Sequence, residues 1–194
     1  MHEGTLFPLI IIGSSTGGPQ VLEEIFSGVH AVPAAIIVVQ HLAPPFVPQL
    51  ALQIHQACGM PVVIPEEGEQ IRRGTVFIAP SGRHLVLRKN RFISFSNAEK
   101  VNGVRPSIDI AMLSLIPAPG NRFMGVVLTG MGEDGAQGIA HIKKLGGVTI
   151  VQSPETCAIR SMPRAAIATM SVDYSEPPRA ISGRITTFAA KNSR

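Results

Sequence analysis

The sequence predicts an α/β fold: a doubly wound, mostly parallel sheet with helices on both faces and an inserted β-hairpin. Three observations lead there. Short apolar runs alternate with stretches of helical period along most of the chain, and repeated strand–helix alternation implies parallel pairing. The runs Leu9–Gly13 and Ala35–Gln40 are apolar at nearly every position, as strands covered on both faces must be. Between them lies a Gly-rich turn that opens a helix, the Rossmann-like arrangement.

The elements follow in order. Leu9–Gly13 is the first strand, and the N-terminal stretch leading into it carries Glu3 and no basic segment, so it does not read as a signal peptide. Pro19–Ser27 places Val21, Leu22, Ile25 and Phe26 at helical spacing and ends near Gly28. Ala35–Gln40 is a second strand, Phe46–Ala57 a helix and Val62–Ile64 a short strand. Thr75–Ala79, His84–Arg88 and Phe92–Ser96 are strands at close spacing, with Lys89-Asn90-Arg91 as a hairpin turn. Ser107–Leu115 is a helix with Ser107 as its N-cap after Pro106. Met124–Thr129 is a strand, and Gly135–Leu145 is a helix stopped by Gly146-Gly147. Val148–Val151 is a strand; Ser161–Thr169 and Pro177–Ala190 are helices.

Composition narrows the function classes. The chain of 194 residues is 45% hydrophobic and 15% charged, which predicts one globular domain over 1–194 with a sizeable core. No apolar stretch approaches the roughly 20 residues of a membrane helix, so the protein is expected not to be membrane-embedded. Cys58 and Cys157 are the only cysteines. They make neither a disulfide framework nor a metal motif, and a reducing cytoplasm suits them. The formal charge of +4 is scattered, with one Tyr and no Trp, which speaks against nucleic-acid binding. It favours an acidic partner weakly.

In a parallel sheet the active crevice lies at the carboxyl ends of the strands, and three loops there carry reactive groups. Gly13-Ser14-Ser15-Thr16-Gly17 fits Gly-x-Ser-x-Gly after the first strand, a turn that exposes a serine and unpaired backbone N–H groups. Taken alone the run has three readings: a cap for the next helix, a phosphate cradle, or a nucleophile at Ser15. It matches neither the dinucleotide fingerprint nor a P-loop, since no Lys follows. Of six histidines, only His41 directly follows a buried strand, in IIVVQHL. After the strand MGVVLT comes Gly130-Met131-Gly132-Glu133-Asp134-Gly135, where Asp134 is either an N-cap or a third functional group. A serine, an imidazole and a carboxylate at one sheet edge suit acyl transfer: the imidazole takes the serine proton and the carboxylate orients it. The chain order Ser–His–Asp differs from that of ordinary α/β-hydrolases.

GSSTGG, QHL, RPSID at Arg105–Asp109 and LTGMGEDG, together with IAPSGRHL and CAIRSMPRAAI, closely resemble the catalytic domain of chemotaxis protein-glutamate methylesterases of the CheB type. The likeness runs from about Ile10 to Phe188. It implies hydrolysis of glutamate methyl esters on the cytoplasmic helices of chemoreceptors, with methanol released, and deamidation of some receptor glutamines. It implies Ser15 as nucleophile, His41 as base and Asp134 as acid, with backbone N–H groups at Thr16 and Met131 holding the substrate oxygen. No metal or organic cofactor is implied. Ser14 stands where members commonly have Ala, and Glu133 where Asn is common. Members usually carry an N-terminal receiver domain that covers the active site until phosphorylated; a single domain without a receiver is the expectation for this chain. Arg105 and Arg160 lie in motifs the resemblance covers and are candidates for contact with the receptor helix.

Overall fold

A computed structural model describes residues 7–120 and 122–191. His2 and Glu3 lie outside the described residues. In chain order the elements are β1 (Leu9–Ser14), α1 (Gly18–Phe26), β2 (Ala35–Gln40), α2 (Val47–Cys58), β3 (Val62–Val63), β4 (Thr75–Ile78), β5 (His84–Arg88), β6 (Phe92–Ser96), α3 (Ile108–Leu113), β7 (Phe123–Val127), α4 (Ala136–Lys144), β8 (Val148–Gln152), α5 (Ser161–Ala168), β9 (Tyr174–Glu176) and α6 (Pro178–Ala190).

Seven strands form one sheet in the order β3-β4-β2-β1-β7-β8-β9. Every pairing in it is parallel. β5 and β6 make a separate antiparallel ribbon, the inserted hairpin. Its turn holds Lys89 and Asn90 at positive φ, 53° and 54°, the geometry of a tight hairpin turn.

The expected doubly wound sheet is therefore observed, and the reason is visible in β1. All six of its residues are buried. Ile10 and Ile12 face a core with Leu22, Ile25 and Phe26 of α1, Leu50 and Ile54 of α2, and Ile181 and Ile185 of α6. Leu9 and Ile11 face the other core, with Ile108 and Met112 of α3, Ile139 and Ile142 of α4, Met162 of α5, and the hairpin's Leu85 and Ile93. A strand with one polar face would leave one of these layers unattached. Each fully buried Ile contributes roughly 1.5–3 kcal/mol.

Most element bounds agree with the sequence reading to a residue or two, and three differences have physical causes. The helix expected from Phe46 is preceded by a 3-10 turn over Pro44–Phe46 and starts at Val47, because Pro48 has no N–H to reach back four residues to the Pro44 carbonyl, which accepts from the Val47 N–H instead. β7 ends at Val127, before the expected Thr129. Leu128 still donates to the Gly13 carbonyl at 2.9 Å, and Thr129 N–H turns to the Gln152 side chain at 2.9 Å. β9 has no counterpart in the sequence reading: it is a short edge strand, Tyr-Ser-Glu, exposed at two of its three positions, so it carries no burial pattern to detect.

The crevice is set by topology. Chain order runs outward from β1 through β2 and β4 on one side, and from β7 through β8 and β9 on the other. The reversal lies between β1 and β7, and ligands in such sheets bind outside the carboxyl ends at that point.

Close helix packing supports this edge. A Cβ added at Gly138 of α4 would stand 2.6 Å from Met112 Cβ and 2.7 Å from its Sδ. Gly138→Ala gains about 1 kcal/mol of helix propensity but overpacks the α3–α4 contact at a typical 1–3 kcal/mol. The expected net outcome is a stability lower by roughly 1 kcal/mol in urea melts; an unchanged or higher midpoint would show that Met112 moves aside freely.

Candidate active site

Ser14 and Gln40 are the last paired residues of β1 and β2. Ser15 and His41 are thus the first residues beyond two neighbouring strands. The His41 N–H donates to the Ser14 carbonyl at 3.0 Å, which continues the ladder one step further. Gln40 ties the two ends together. Its Nε2 donates to the carbonyls of Ser15 and His41, each at 2.9 Å. Its Oε1 accepts from the Ser14 hydroxyl at 2.6 Å.

That bond separates the two serines. Ser14 is wholly buried and its hydroxyl is spent on Gln40. Ser15 is half-buried. Neither caps the following helix, because the N-cap of α1 is Gly17, in the left-handed region at φ 80° and without a side-chain cap bond. The helix-capping reading of the Ser-Ser-Thr run is therefore overturned: a left-handed Gly17 starts the helix, and the serines stay at the strand end.

The third loop reaches His41 from β7. His41 Nε2 lies 2.9 Å from Asp134 Oδ2, and the two side chains are only 11% and 3% exposed. His41 Nδ1 is buried and has no partner among the described residues. The four other described histidines all satisfy a ring nitrogen with a backbone carbonyl: His30 with Cys58, His55 with Met60, His84 with Glu99 and His141 with Leu115. Among the described histidines only His41 is paired with a carboxylate. No hydrogen bond joins the Ser15 hydroxyl to His41, so the structure brings His41 and Asp134 into contact and leaves Ser15 on the adjoining strand end.

Asp134 is held by more than the imidazole. It accepts from the Ile108 N–H at 2.7 Å, the Asp109 N–H at 3.0 Å and the Ser107 hydroxyl at 2.8 Å. Burial alone would raise its pKa, but the bonds from His41, the Asp109 and Ile108 N–H groups and Ser107 hold its carboxyl below the ordinary value. Ser107 is the N-cap of α3, as the sequence predicts, and its Oγ also accepts from the Ile110 N–H. His84 braces this cap: its Nδ1 accepts from the Ser107 N–H at 3.1 Å, so its Nε2–H must donate to the Glu99 carbonyl.

Asp109 repays the contact in the opposite direction. It accepts from the N–H groups of Gly135 and Gly138 at 2.9 and 2.8 Å, at the start of α4. Asp134, in the loop before α4, thus caps α3, and Asp109, in the first turn of α3, caps α4. Burial, and then the charge of Asp134, push the Asp109 carboxyl up to about 6 against the pull of the Gly138 and Gly135 N–H groups. Glu133, beside Asp134, is exposed, where water screens its charge.

Thr16 is exposed and Met131 is 75% exposed. Neither backbone N–H donates to another described residue, and the Thr129 hydroxyl links the two turns, donating to the Thr16 carbonyl at 3.0 Å and accepting from the Ile159 N–H at 3.0 Å. Gly130 permits the close fit of these loops, since a Cβ there would meet Met162 Sδ at 2.2 Å and Ser15 Cβ at 2.7 Å. Arg105, a candidate for receptor contact, donates to the Asn97 and Ala98 carbonyls at 3.1 and 3.0 Å. Among the described residues no cluster of three or more His, Cys, Asp or Glu side chains could hold a metal ion. Gln40, Thr129, His84 and the site roles of Ser107 and Asp109 escape a search for reactive residues. The available signal was proximity: Gln40 precedes His41, and Ser107 and Asp109 lie in RPSID.

The CheB methylesterase family model matches residues 10–185. The chain belongs to that family. It is 40% identical over 183 residues to a protein-glutamate methylesterase/protein-glutamine glutaminase of Archaeoglobus fulgidus, covering 92% of this chain and 52% of that one. It is 40% identical over 185 residues to the protein of the same name from the group 3 operon of Pseudomonas putida, covering 94% and 55%. The chain therefore spans about half the length of these curated relatives. The crystal structure of the Thermotoga maritima CheB methylesterase catalytic domain superposes with a TM-score of 0.86 at 32% identity, covering 93% of this chain and 98% of that one. Among the described residues no helix is long and apolar enough to cross a membrane.

The pH dependence of stability has a defined sign. A carboxyl whose folded pKa is about 6, above its ordinary unfolded value near 3.9, binds more protons folded than unfolded between those values. Its contribution therefore falls as pH rises from about 4 to 6, by on the order of 2–3 kcal/mol. Asp109→Asn keeps an acceptor for the Gly135 and Gly138 N–H groups and removes the titration. Denaturant melts at pH 4 to 7 should show the variant gaining on the parent protein as pH rises; parallel curves would disprove this role for Asp109.

Proposed function

We propose that the chain is a serine hydrolase that cleaves glutamate methyl esters on the cytoplasmic helices of methyl-accepting chemotaxis receptors, in the cytoplasm, as one catalytic domain. The observation that carries this reading is the His41 imidazole: one nitrogen is fixed by a buried carboxylate, and the other is unpartnered at the strand end beside Ser15. A buried acceptor without a donor costs about 1–3 kcal/mol. A proton delivered by Ser15 removes that deficit.

The roles follow. Ser15 Oγ attacks the ester carbonyl carbon and passes its proton to His41 Nδ1. Nε2 keeps its own proton and donates it to Asp134, whose negative charge stabilises the imidazolium. The Thr16 and Met131 N–H groups, free of other acceptors, receive the developing oxyanion. The tetrahedral intermediate collapses, the bond to methoxide breaks, and Nδ1 returns the proton, so methanol leaves an acyl-enzyme on Ser15. Water then attacks the acyl carbon, again with Nδ1 as base, and the glutamate carboxylate and free Ser15 result. A glutamine side chain would follow the same route with ammonia as leaving group, as the names of the two relatives imply for those proteins.

Two outcomes are expected with labelled methylated receptor membranes. Ser15→Ala lowers methanol release on the order of 10⁴-fold or more, and abolishes labelling by a fluorophosphonate probe. Ser14→Ala retains activity within a few-fold and loses about 1 kcal/mol of stability with the Gln40 bond. Methanol release by Ser15→Ala at the parent rate would refute the assignment.

A further inference from the structure

A cleft of about 460 Å³ opens at the start of α5, lined by Ala158, Ile159, Arg160, Ser161 and Arg164. It is built onto the candidate site through hydrogen bonds. The Gly130 N–H donates to the Ile159 carbonyl at 2.9 Å, and the Gly130 carbonyl accepts from the Met162 N–H at 3.1 Å and the Ser161 hydroxyl at 3.0 Å. The Gly132 N–H donates to the same Ser161 hydroxyl at 3.1 Å. On the other side, the Ala158 methyl lies 2.8 Å from where a Gly17 Cβ would stand. The cleft wall therefore touches both the Ser15–Gly17 turn and the Gly130–Gly132 turn.

Its charge is unusual for a helix start. Arg160 is the N-cap of α5 and Arg164 lies one turn on, so the two guanidiniums share a face. A helix N-terminus already carries partial positive charge and favours anions, not cations. Both arginines are exposed, and among the described residues neither forms an ion pair. The carboxylate that feels them both is Glu155. Its own backbone N–H and the Ser153 hydroxyl, and then the two guanidiniums, hold it below the usual range. One Glu155 oxygen is already engaged by Ser153 at 2.9 Å.

We propose that this cleft is a carboxylate subsite, in which Arg160 and Arg164 hold an ionised Glu or Asp side chain of the protein substrate beside the reacting ester. The assignment rests on the esterase reading above. A methyl ester is neutral, so recognition by charge has to come from its neighbours. On a substrate helix, side chains three or four residues from the ester lie on the same face. A guanidinium offers two parallel donors that match a carboxylate. Glu155 offsets the two guanidiniums only from the side and forms no ion pair with either, so an entering carboxylate still finds both donors open. Arg160 and Arg164 are thus specificity-determining residues that act on binding.

The test uses two helical peptides with one γ-methyl-glutamate each. One carries Glu four residues to either side of it; the other carries Gln there. Methanol release is measured for the parent protein and for Arg160→Gln/Arg164→Gln, with thermal melts confirming that both are folded. The parent protein is expected to prefer the Glu-flanked peptide by about ten-fold in kcat/KM, mainly through KM, and increasingly so at low salt. The double variant should bring the ratio near one. Replacement of both by Lys should restore part of it, since Lys supplies charge without the paired donors. Equal cleavage of both peptides by the parent protein, or a preference that survives in the double variant, overturns the subsite alone. Failure of the parent protein to cleave either peptide overturns the esterase reading and the subsite with it.

Discussion

The Asp134 carboxylate organises this edge of the molecule. It is almost fully buried and takes four donors: the His41 imidazole, the Ser107 hydroxyl and two N–H groups from the first turn of α3. A buried carboxylate is tolerated only when donors replace the water it has lost. Here the replacement also fixes three chain segments relative to one another. The loop after β7, the start of α3 and the end of β2 cannot move apart without exposing an unmet charge. The orientation of the His41 ring is a consequence of that constraint.

The neighbouring Asp109 shows what the arrangement costs. Two carboxylates cannot both be cheaply ionised at close quarters in a buried setting. Asp134, with more donors and an imidazole, keeps its charge; Asp109, with N–H groups of α4, is pushed toward neutrality near pH 6. The same pair supplies the reciprocal caps of α3 and α4. Stability and site geometry therefore depend on the same hydrogen bonds, and a change in one carboxyl is felt by the other.

Small and polar residues do the corresponding work on the β1 side. Gly130 leaves room for Ser15, Gln40 bridges the ends of β1 and β2, and Thr129 bridges the turns at Thr16 and Ile159. Through the last of these the cationic cleft of α5 is continuous with the candidate site. The cleft wall and the turn that carries Ser15 are thereby held on one hydrogen-bonded framework.

Much of this was legible in the sequence. The unbroken apolar runs at Leu9–Gly13 and Ala35–Gln40 dictate strands covered on both faces, and alternation with helices dictates parallel pairing. Parallel pairing sends the residues after each strand to one edge, so Ser15, His41 and Asp134 are expected there, and His41 and Asp134 are found in contact. Family motifs added Thr16 and Met131. The sequence did not distinguish Ser14 from Ser15 by chemistry, since adjacent hydroxyls are alike until one is buried against Gln40. Nor did it identify His84, Thr129 or Asp109 as braces of the site, or separate the tied Arg105 from the open Arg160. Strand and helix patterns are local, because burial repeats with the period of the backbone. Which hydroxyl is spent, which imidazole nitrogen is left unpartnered and which arginine faces a cleft depend on contacts between segments far apart in the chain, and only the packed tertiary structure decided them.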